Sequence, residues 1–171
     1  MARQIRKKSG TGIYYIMLRG IPLDYRGQVI GRFGKSMTCP PDLPENLKRL
    51  CWWLEELRYS YNTLYCLQPG EDYETSENVE GIIINSGYRS PAVNKLAGGV
   101  ATSNHVTGCA VDIRCVGKEQ MIRYASILLD IADGTGKDYD ELLLEQHGNI
   151  CWLHFAVRPK ENRRKILFLK V

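Results

Sequence analysis

The chain has 171 residues and lacks any long apolar run. No stretch approaches the roughly 20 consecutive apolar residues that a membrane-spanning helix needs, so we expect no membrane span. The N-terminus is basic, but polar residues 9–12 follow where the apolar core of a signal peptide should begin. Residues 13–18 are too few and too polar to supply that core. The sequence therefore predicts a protein that is made in the cytoplasm without a signal for general secretion.

Cysteines at metal-binding spacing are also lacking. None of the six cysteines forms a C-x-x-C pair, which argues against a thiolate zinc site. Because no signal peptide is predicted, we expect reduced and partly buried thiols rather than disulfides. The six are Cys39, Cys51, Cys66, Cys109, Cys115 and Cys151.

An excess of one charge is absent too, since the net charge is only +4. With 44% hydrophobic and 25% charged residues, the composition excludes disordered and fibrous classes, and the length fits one domain with its own core. Basic residues gather near both ends, where solvated, disordered tips are favoured over a patch for a polyanion. Nucleic-acid binding would rest on these residues alone and is not expected. They are Arg3, Arg6, Lys7 and Lys8, and then Lys160, Arg163, Arg164 and Lys165.

Hydrophobic periodicity predicts a single α+β domain over residues 1–171, with a mostly antiparallel sheet and flanking helices. We expect amphipathic helices over residues 44–64 and 119–131, and a short helix that Ser90 caps and Pro91 begins. The predicted strands cover residues 82–84, 109–115, 141–145 and 151–157, with an edge strand at 166–171.

All three histidines lie in the second half of the chain, at His105, His147 and His154. A lone histidine in an apolar strand, as at His154, is usually a satisfied core residue, and His147 is expected in an exposed turn rather than as a proton carrier. Asp112, however, is costly to bury unless a positive group meets it, and the turn at Gly108 would bring His105 beside it. Two imidazoles and one carboxylate leave a fourth tetrahedral position open, as catalytic zinc sites do.

The segment around His105 resembles the S-x-H-x-x-G-x-A-x-D signature of the zinc D-alanyl-D-alanine carboxypeptidases and murein endopeptidases, which share their fold with the hedgehog signalling domain. Its fixed positions are Ser103, His105, Gly108, Ala110 and Asp112. Residues 86–94 resemble the S-G-Y-R-S-P-x-x-N stretch of that family, and residues 152–154 its W-x-H. The resemblance covers roughly residues 42–158, is closest to the small phage-type carboxypeptidase-like branch, and leaves residues 1–41 as a divergent N-terminal arm.

The resemblance implies one zinc ion and a set of residues around it. Arg89 would grip a substrate carboxylate or stabilise the oxyanion, although an ordinary surface arginine remains open. Ser103 would bind substrate or cap a turn, while Tyr88 and Trp152 would contact substrate. The implied zinc ligands are His105, Asp112 and His154.

The general base is less directly indicated. Some relatives carry it three residues before the last histidine, where this chain has Cys151. Others place a glutamate at the end of the preceding strand, which here is Glu145. We therefore predict Glu145 as base and acid rather than as a structural ion-pair partner, with Asp140 and Glu141 as alternatives.

These features predict a monomeric zinc peptidase that hydrolyses D-amino-acid-containing stem peptides of bacterial peptidoglycan. A phage-type lytic enzyme, released by lysis or carried on the virion, suits the missing signal peptide. The alternative is an inactive, zinc-stabilised binding or structural module with the same fold.

Overall fold

The computed structural model of the protein describes residues 40–171. Helices and strands alternate along this part of the chain in an α+β order, as predicted. They are α1 (Leu43–Tyr65), β1 (Ile84–Ser86), α2 (Pro91–Leu96), a 3₁₀ turn (Asn104–Thr107), β2 (Ala110–Cys115), α3 (Gly117–Thr135), β3 (Glu141–His147), β4 (Ile150–Ala156) and β5 (Lys165–Lys170). The predicted N-terminal arm lies outside the described residues, except for residues 40 and 41.

Helix α1 forms because its apolar residues recur at i, i+3, i+4 and i+7, which places them on one face. Leu50, Trp53, Leu54 and Leu57 are each at most 3% exposed and form the centre of the core. A proline in the first turn suits the start of the helix, since its missing N–H would have no partner there. The helix predicted over residues 44–64 is confirmed.

Helix α3 packs beside α1 and buries a second apolar stripe, in which Leu128 and Ala132 are almost fully enclosed. The helix predicted over residues 119–131 is confirmed, but it runs further at both ends. Its C-terminal cap, Gly136, has a φ of 67°, a left-handed conformation in which glycine carries no steric cost.

The five strands form one sheet in the order β1-β2-β4-β3-β5. The pairings β1–β2, β2–β4 and β3–β4 are antiparallel, whereas β5 lies parallel to β3. The sheet is therefore mixed, although mostly antiparallel as predicted. Strand β5 also extends the sheet beyond residue 158, where the family resemblance ended.

The two faces of the sheet have different roles. Because side chains alternate along a strand, Val111 and Ile113 of β2 point with Leu153 of β4 toward α1 and α3, in the buried core. Asp112 and His154, which pair with each other, belong to the opposite face. The helices thus cover one face and leave the other to the candidate site.

Two predictions need correction. The apolar run at residues 82–84 contributes only Ile84 to β1, and Ile83 is 52% exposed, because β1 is a short edge strand that pairs with β2 alone. The basic residues near 160–165 are not a disordered tip. Arg164 contacts Asp133 and Asp138, and Lys165 begins β5.

Two expectations about composition can be compared with the described residues. The cysteines that lie within residues 40–171 are free, as predicted, and Cys39 is outside this range. No helix in the same range has the length and apolar character needed to cross a bilayer.

Candidate metal centre

The predicted zinc ligands converge from three neighbouring elements. His105 lies in the 3₁₀ turn, Asp112 in β2 and His154 in β4. Asp112 and His154 are directly opposite each other in the antiparallel pairing of these strands, so both side chains emerge on the same face. All three residues are buried, and one ligand atom from each lies within 4.8 Å of the others.

Gly108 turns the chain so that His105 returns beside Asp112. Its φ of 72° is left-handed, and its N–H bonds to the carbonyl of His105 at 3.2 Å. The tight turn predicted at this glycine is therefore present. A side chain here would also meet Leu43 of α1.

One oxygen of Asp112 faces both imidazoles. Its Oδ1 lies 3.2 Å from His105 Nε2 and 2.9 Å from His154 Nδ1. The other nitrogen of His105, Nδ1, donates to the carbonyl of Gly87 at 2.7 Å, since a carbonyl can only accept. With Nδ1 turned to this carbonyl, Nε2 of His105 faces a carboxylate oxygen across a gap that a shared cation would fill.

The electrostatics of the cluster agree with that geometry. Burial alone would raise the pKa of Asp112, but the hydrogen bonds from His105 and His154 outweigh it and hold this pKa well below its usual range. Burial alone would lower the pKa of His154, yet its contacts with Asp112 and Glu141 raise the pKa to about 9. Asp112 is thus a carboxylate at neutral pH, ready to meet a cation.

The donor set fits zinc. Two imidazole nitrogens and one carboxylate oxygen are common zinc ligands, and three protein ligands are the usual number in catalytic sites. Each histidine also has a second partner for its other nitrogen, which fixes the ring orientation in many metal sites. For His105 that partner is the Gly87 carbonyl, and for His154 it is Glu141 at 3.6 Å.

The cluster opens into a cleft of about 740 Å³. The same cleft is lined by most of the residues predicted to act around the metal. These are Arg89, Ser103, His105, Asp112, Glu145, Trp152 and His154. The cleft is large enough to take a short peptide segment.

Glu145 has the surroundings of a base. It lies on the site face of β3, opposite Trp152 of β4, whose indole Nε1–H donates to Glu145 Oε2. Burial raises the pKa of Glu145 above its usual value, and the neighbouring His154 partly offsets this rise. A carboxylate with a raised pKa accepts protons more readily near neutral pH.

The alternative bases are tied up in ion pairs. Asp140 is fully buried and accepts from Arg163 Nε and Nη2, each at 2.7 Å, and it lies 3.0 Å from Arg158 Nε. Glu141 contacts His154 and Arg163, and mainly the contact with His154 lowers its pKa to about 2. A carboxylate held in this way is a weak proton acceptor, so the geometry favours Glu145.

Arg89 is not an ordinary surface arginine. Its Nη2 donates to Oδ2 of Asp112, and its Nε donates to Ser86 Oγ at 2.7 Å. Its backbone N–H bonds to the carbonyl of His105 at 3.0 Å. Arg89 therefore supports two candidate ligands from one side, while its guanidinium also borders the cleft.

The three remaining predicted residues lie in different surroundings. Ser103 caps the 3₁₀ turn by accepting from the His105 N–H at 3.3 Å, and it also borders the cleft. Tyr88 is only 6% exposed, packs with Leu43 in a small apolar cluster and is not among the residues that line the cleft, so its substrate contact stays a prediction. His147 is exposed at the end of β3, where its Nδ1 lies 2.6 Å from the carbonyl of Val171, as expected of a turn histidine.

Sequence reasoning missed a polar network beside the site. Asn104, immediately before His105, donates through Nδ2 to Asp140 at 2.7 Å and to Glu141 at 3.0 Å. Its Oδ1 accepts from Arg158 at 3.0 Å. Asn104 occupies a variable position of the ten-residue signature, and its partners are more than 30 residues away, so no local pattern pointed to it.

Comparison with known families agrees with this geometry. A family model described as Peptidase M15 matches residues 73–137, a range that contains Arg89, His105 and Asp112 and ends before His154. No curated protein matches the chain. The match to this peptidase family and the His-Asp-His cluster, which could hold a metal ion, together support a metallopeptidase.

Proposed function

We propose that the protein is a zinc peptidase that hydrolyses peptide bonds in the stem peptides of bacterial peptidoglycan, at a bond involving a D-amino acid. The observation that carries the proposal is that His105 Nε2 and His154 Nδ1 both face Asp112 Oδ1. These three atoms lie in a cleft that Glu145 also lines. His105 Nε2, His154 Nδ1 and Asp112 would hold the ion.

Zinc and two side chains have different roles in the proposed reaction. When bound, zinc supplies Lewis acidity and lowers the pKa of a coordinating water toward about 7. Glu145 accepts the proton of the attacking water and passes it to the leaving amine, and its raised pKa suits both steps. Trp152 holds the Glu145 carboxylate in position through its indole N–H.

One arginine of the cleft suits a substrate that carries carboxylates. Arg158 and Arg163 also line the cleft, but both are paired with Asp140. Arg89 lies beside the candidate ligands, where it would contact a substrate carboxylate or the developing oxyanion. Stem peptides of peptidoglycan present such carboxylates, and the resemblance to murein peptidases favours them over other peptides.

The setting we propose is that of a phage-type lytic enzyme. Such a protein is made in the cytoplasm and reaches the cell wall after lysis or as part of the virion. The mild positive charge of +4 is compatible with an anionic wall.

The test is digestion of purified peptidoglycan by the zinc-loaded protein, followed by mass spectrometry of the released muropeptides. We expect defined peptide-bond cleavage, and we expect Glu145→Gln to lower the rate by about 10²–10⁴-fold, the usual contribution of a general base. Glu119→Gln is the matched control, because Glu119 is an exposed partner of Arg123 on α3. The control should digest peptidoglycan at the parent rate.

The outcomes separate the two hypotheses. A parent protein that binds one zinc ion but releases no peptide product would favour the binding or structural module instead. Hydrolysis that survives Glu145→Gln unchanged would remove Glu145 from the mechanism and leave the peptidase function in place.

A further inference from the structure

Glu141 contacts both histidine-bearing segments and takes no part in the proton transfers proposed above. Its Oε1 faces Arg163 Nη2 at 2.8 Å and Lys165 Nζ at 3.5 Å. Its Oε2 accepts from Asn104 Nδ2 at 3.0 Å and lies 3.6 Å from His154 Nε2. One oxygen is thus held by cations, while the other faces the site.

The position of Glu141 on the sheet explains this contact. In the β3–β4 pairing Leu143 is opposite His154, and Glu141 is two residues before it, on the same face. Diagonal neighbours of this kind are within reach of long side chains. The imidazole of His154 therefore lies between two carboxylates, with Nδ1 toward Asp112 and Nε2 toward Glu141.

Asn104 connects the same carboxylate to the other histidine. It is the residue before His105 in the 3₁₀ turn, and it is 7% exposed. Its Nδ2 reaches both Glu141 and the fully buried Asp140, which Arg158 and Arg163 hold in turn. A movement of Glu141 would therefore be transmitted through Asn104 to the turn that carries His105.

We propose that Glu141 is a positioning residue, which holds the His154 ring so that Nδ1 faces the metal and which ties this ring, through Asn104, to the turn of His105. The proposal rests on the proposed zinc site. Histidine ligands commonly donate their second N–H to a carboxylate or carbonyl, and losing that partner weakens metal affinity by about 10–100-fold. The Gly87 carbonyl has the equivalent role for His105.

The experiment measures zinc affinity by competition with a chromophoric chelator at fixed pH, together with the visible absorption of the Co²⁺-substituted protein. We expect Glu141→Gln to weaken zinc binding by about 10–100-fold and to change the Co²⁺ spectrum. Lys165→Met is the first control, since it removes a partner of Glu141 on the side away from His154. Glu119→Gln is the second control, since it removes an exposed carboxylate on α3 that does not line the cleft. Both controls should bind zinc like the parent.

Each outcome decides the matter. Parent-like zinc affinity in Glu141→Gln overturns the proposal, and so does an equal loss in Lys165→Met, which would indicate a general effect of lost ion pairs. If Glu141→Gln does not fold, Glu141→Asp repeats the titration with the carboxylate drawn back by one methylene, and unchanged affinity there also overturns it. Absence of peptide hydrolysis by the parent would contradict the proposed function but would leave this zinc comparison intact.

Discussion

Replacing Gly108 by alanine should separate the turn that carries His105 from the strand that carries Asp112. Gly108 has a φ of 72°, which L-residues adopt at a cost of about 1–2 kcal/mol. The added methyl group would in addition overlap Leu43 Cδ1, and it would lie 3.7 Å from Leu47 Cδ2. Overpacking of this kind costs about 1–3 kcal/mol, because the buried Leu43 must move.

Gly136 provides a matched control for this substitution. Its φ of 67° is nearly the same, but a methyl group there would meet nothing within 4 Å. Gly136→Ala should therefore lose only about 1–2 kcal/mol of unfolding free energy, from the backbone conformation alone. The sum for Gly108→Ala is about 2–5 kcal/mol.

Urea denaturation of the metal-free proteins measures these losses, and a zinc titration measures the effect on the site. We expect the larger stability loss in Gly108→Ala, accompanied by weaker zinc binding, and parent-like zinc binding in Gly136→Ala. Equal stability losses in the two variants would refute the close packing of this turn against α1. Unchanged zinc binding in Gly108→Ala would refute its role in placing His105.

Three further predictions concern charge and pH. Trp152→Phe removes a hydrogen bond that lowers the pKa of Glu145, so the acid limb of the pH profile of kcat/KM should move to higher pH. A shift of this limb to lower pH would contradict the assignment of Glu145 as base. Asp140→Asn should lower the free energy of unfolding by about 2–4 kcal/mol in urea at pH 7, because it leaves Arg163 without its buried partner. Burial raises the pKa of Asp140, but the Arg163 and Asn104 hydrogen bonds lower it overall, so the stabilisation is present above the unfolded pKa of about 3.9 and is lost as pH falls through the folded pKa. Equal acid sensitivity of the variant and the parent would count against this prediction. His154, with a pKa of about 9, is protonated at pH 7 in the metal-free protein. Calorimetry in buffers of different ionisation enthalpy should therefore show about one proton released per zinc ion bound. Zinc binding without proton release would contradict the ligand assignment.

The parts of the fold that local patterns determine were predictable from the sequence. The apolar spacing in α1 and α3 and the alternation in β2 depend on neighbours within a few residues, and the structure confirms all three. The convergence of His105 and Asp112 was predictable for the same reason, because the two are only seven residues apart in sequence and the turn at Gly108 lies between them.

The rest depends on contacts between distant segments. That β5 lies parallel to β3 is set by the course of residues 157–164, which no periodicity encodes. The basic residues of that segment resemble a solvated tip in the sequence, yet Arg163 pairs with a fully buried Asp140 more than 20 residues away. Glu141 likewise looks like the exposed start of a strand until β4 brings His154 to it.

The central claim is that His105, Asp112 and His154 bind one zinc ion. Anomalous diffraction at the zinc edge, from crystals of the zinc-loaded protein, tests it most directly. The account predicts a single peak about 2.0–2.2 Å from His105 Nε2, His154 Nδ1 and an oxygen of Asp112. Zinc bound through other residues, or no peak between these three side chains, would contradict it.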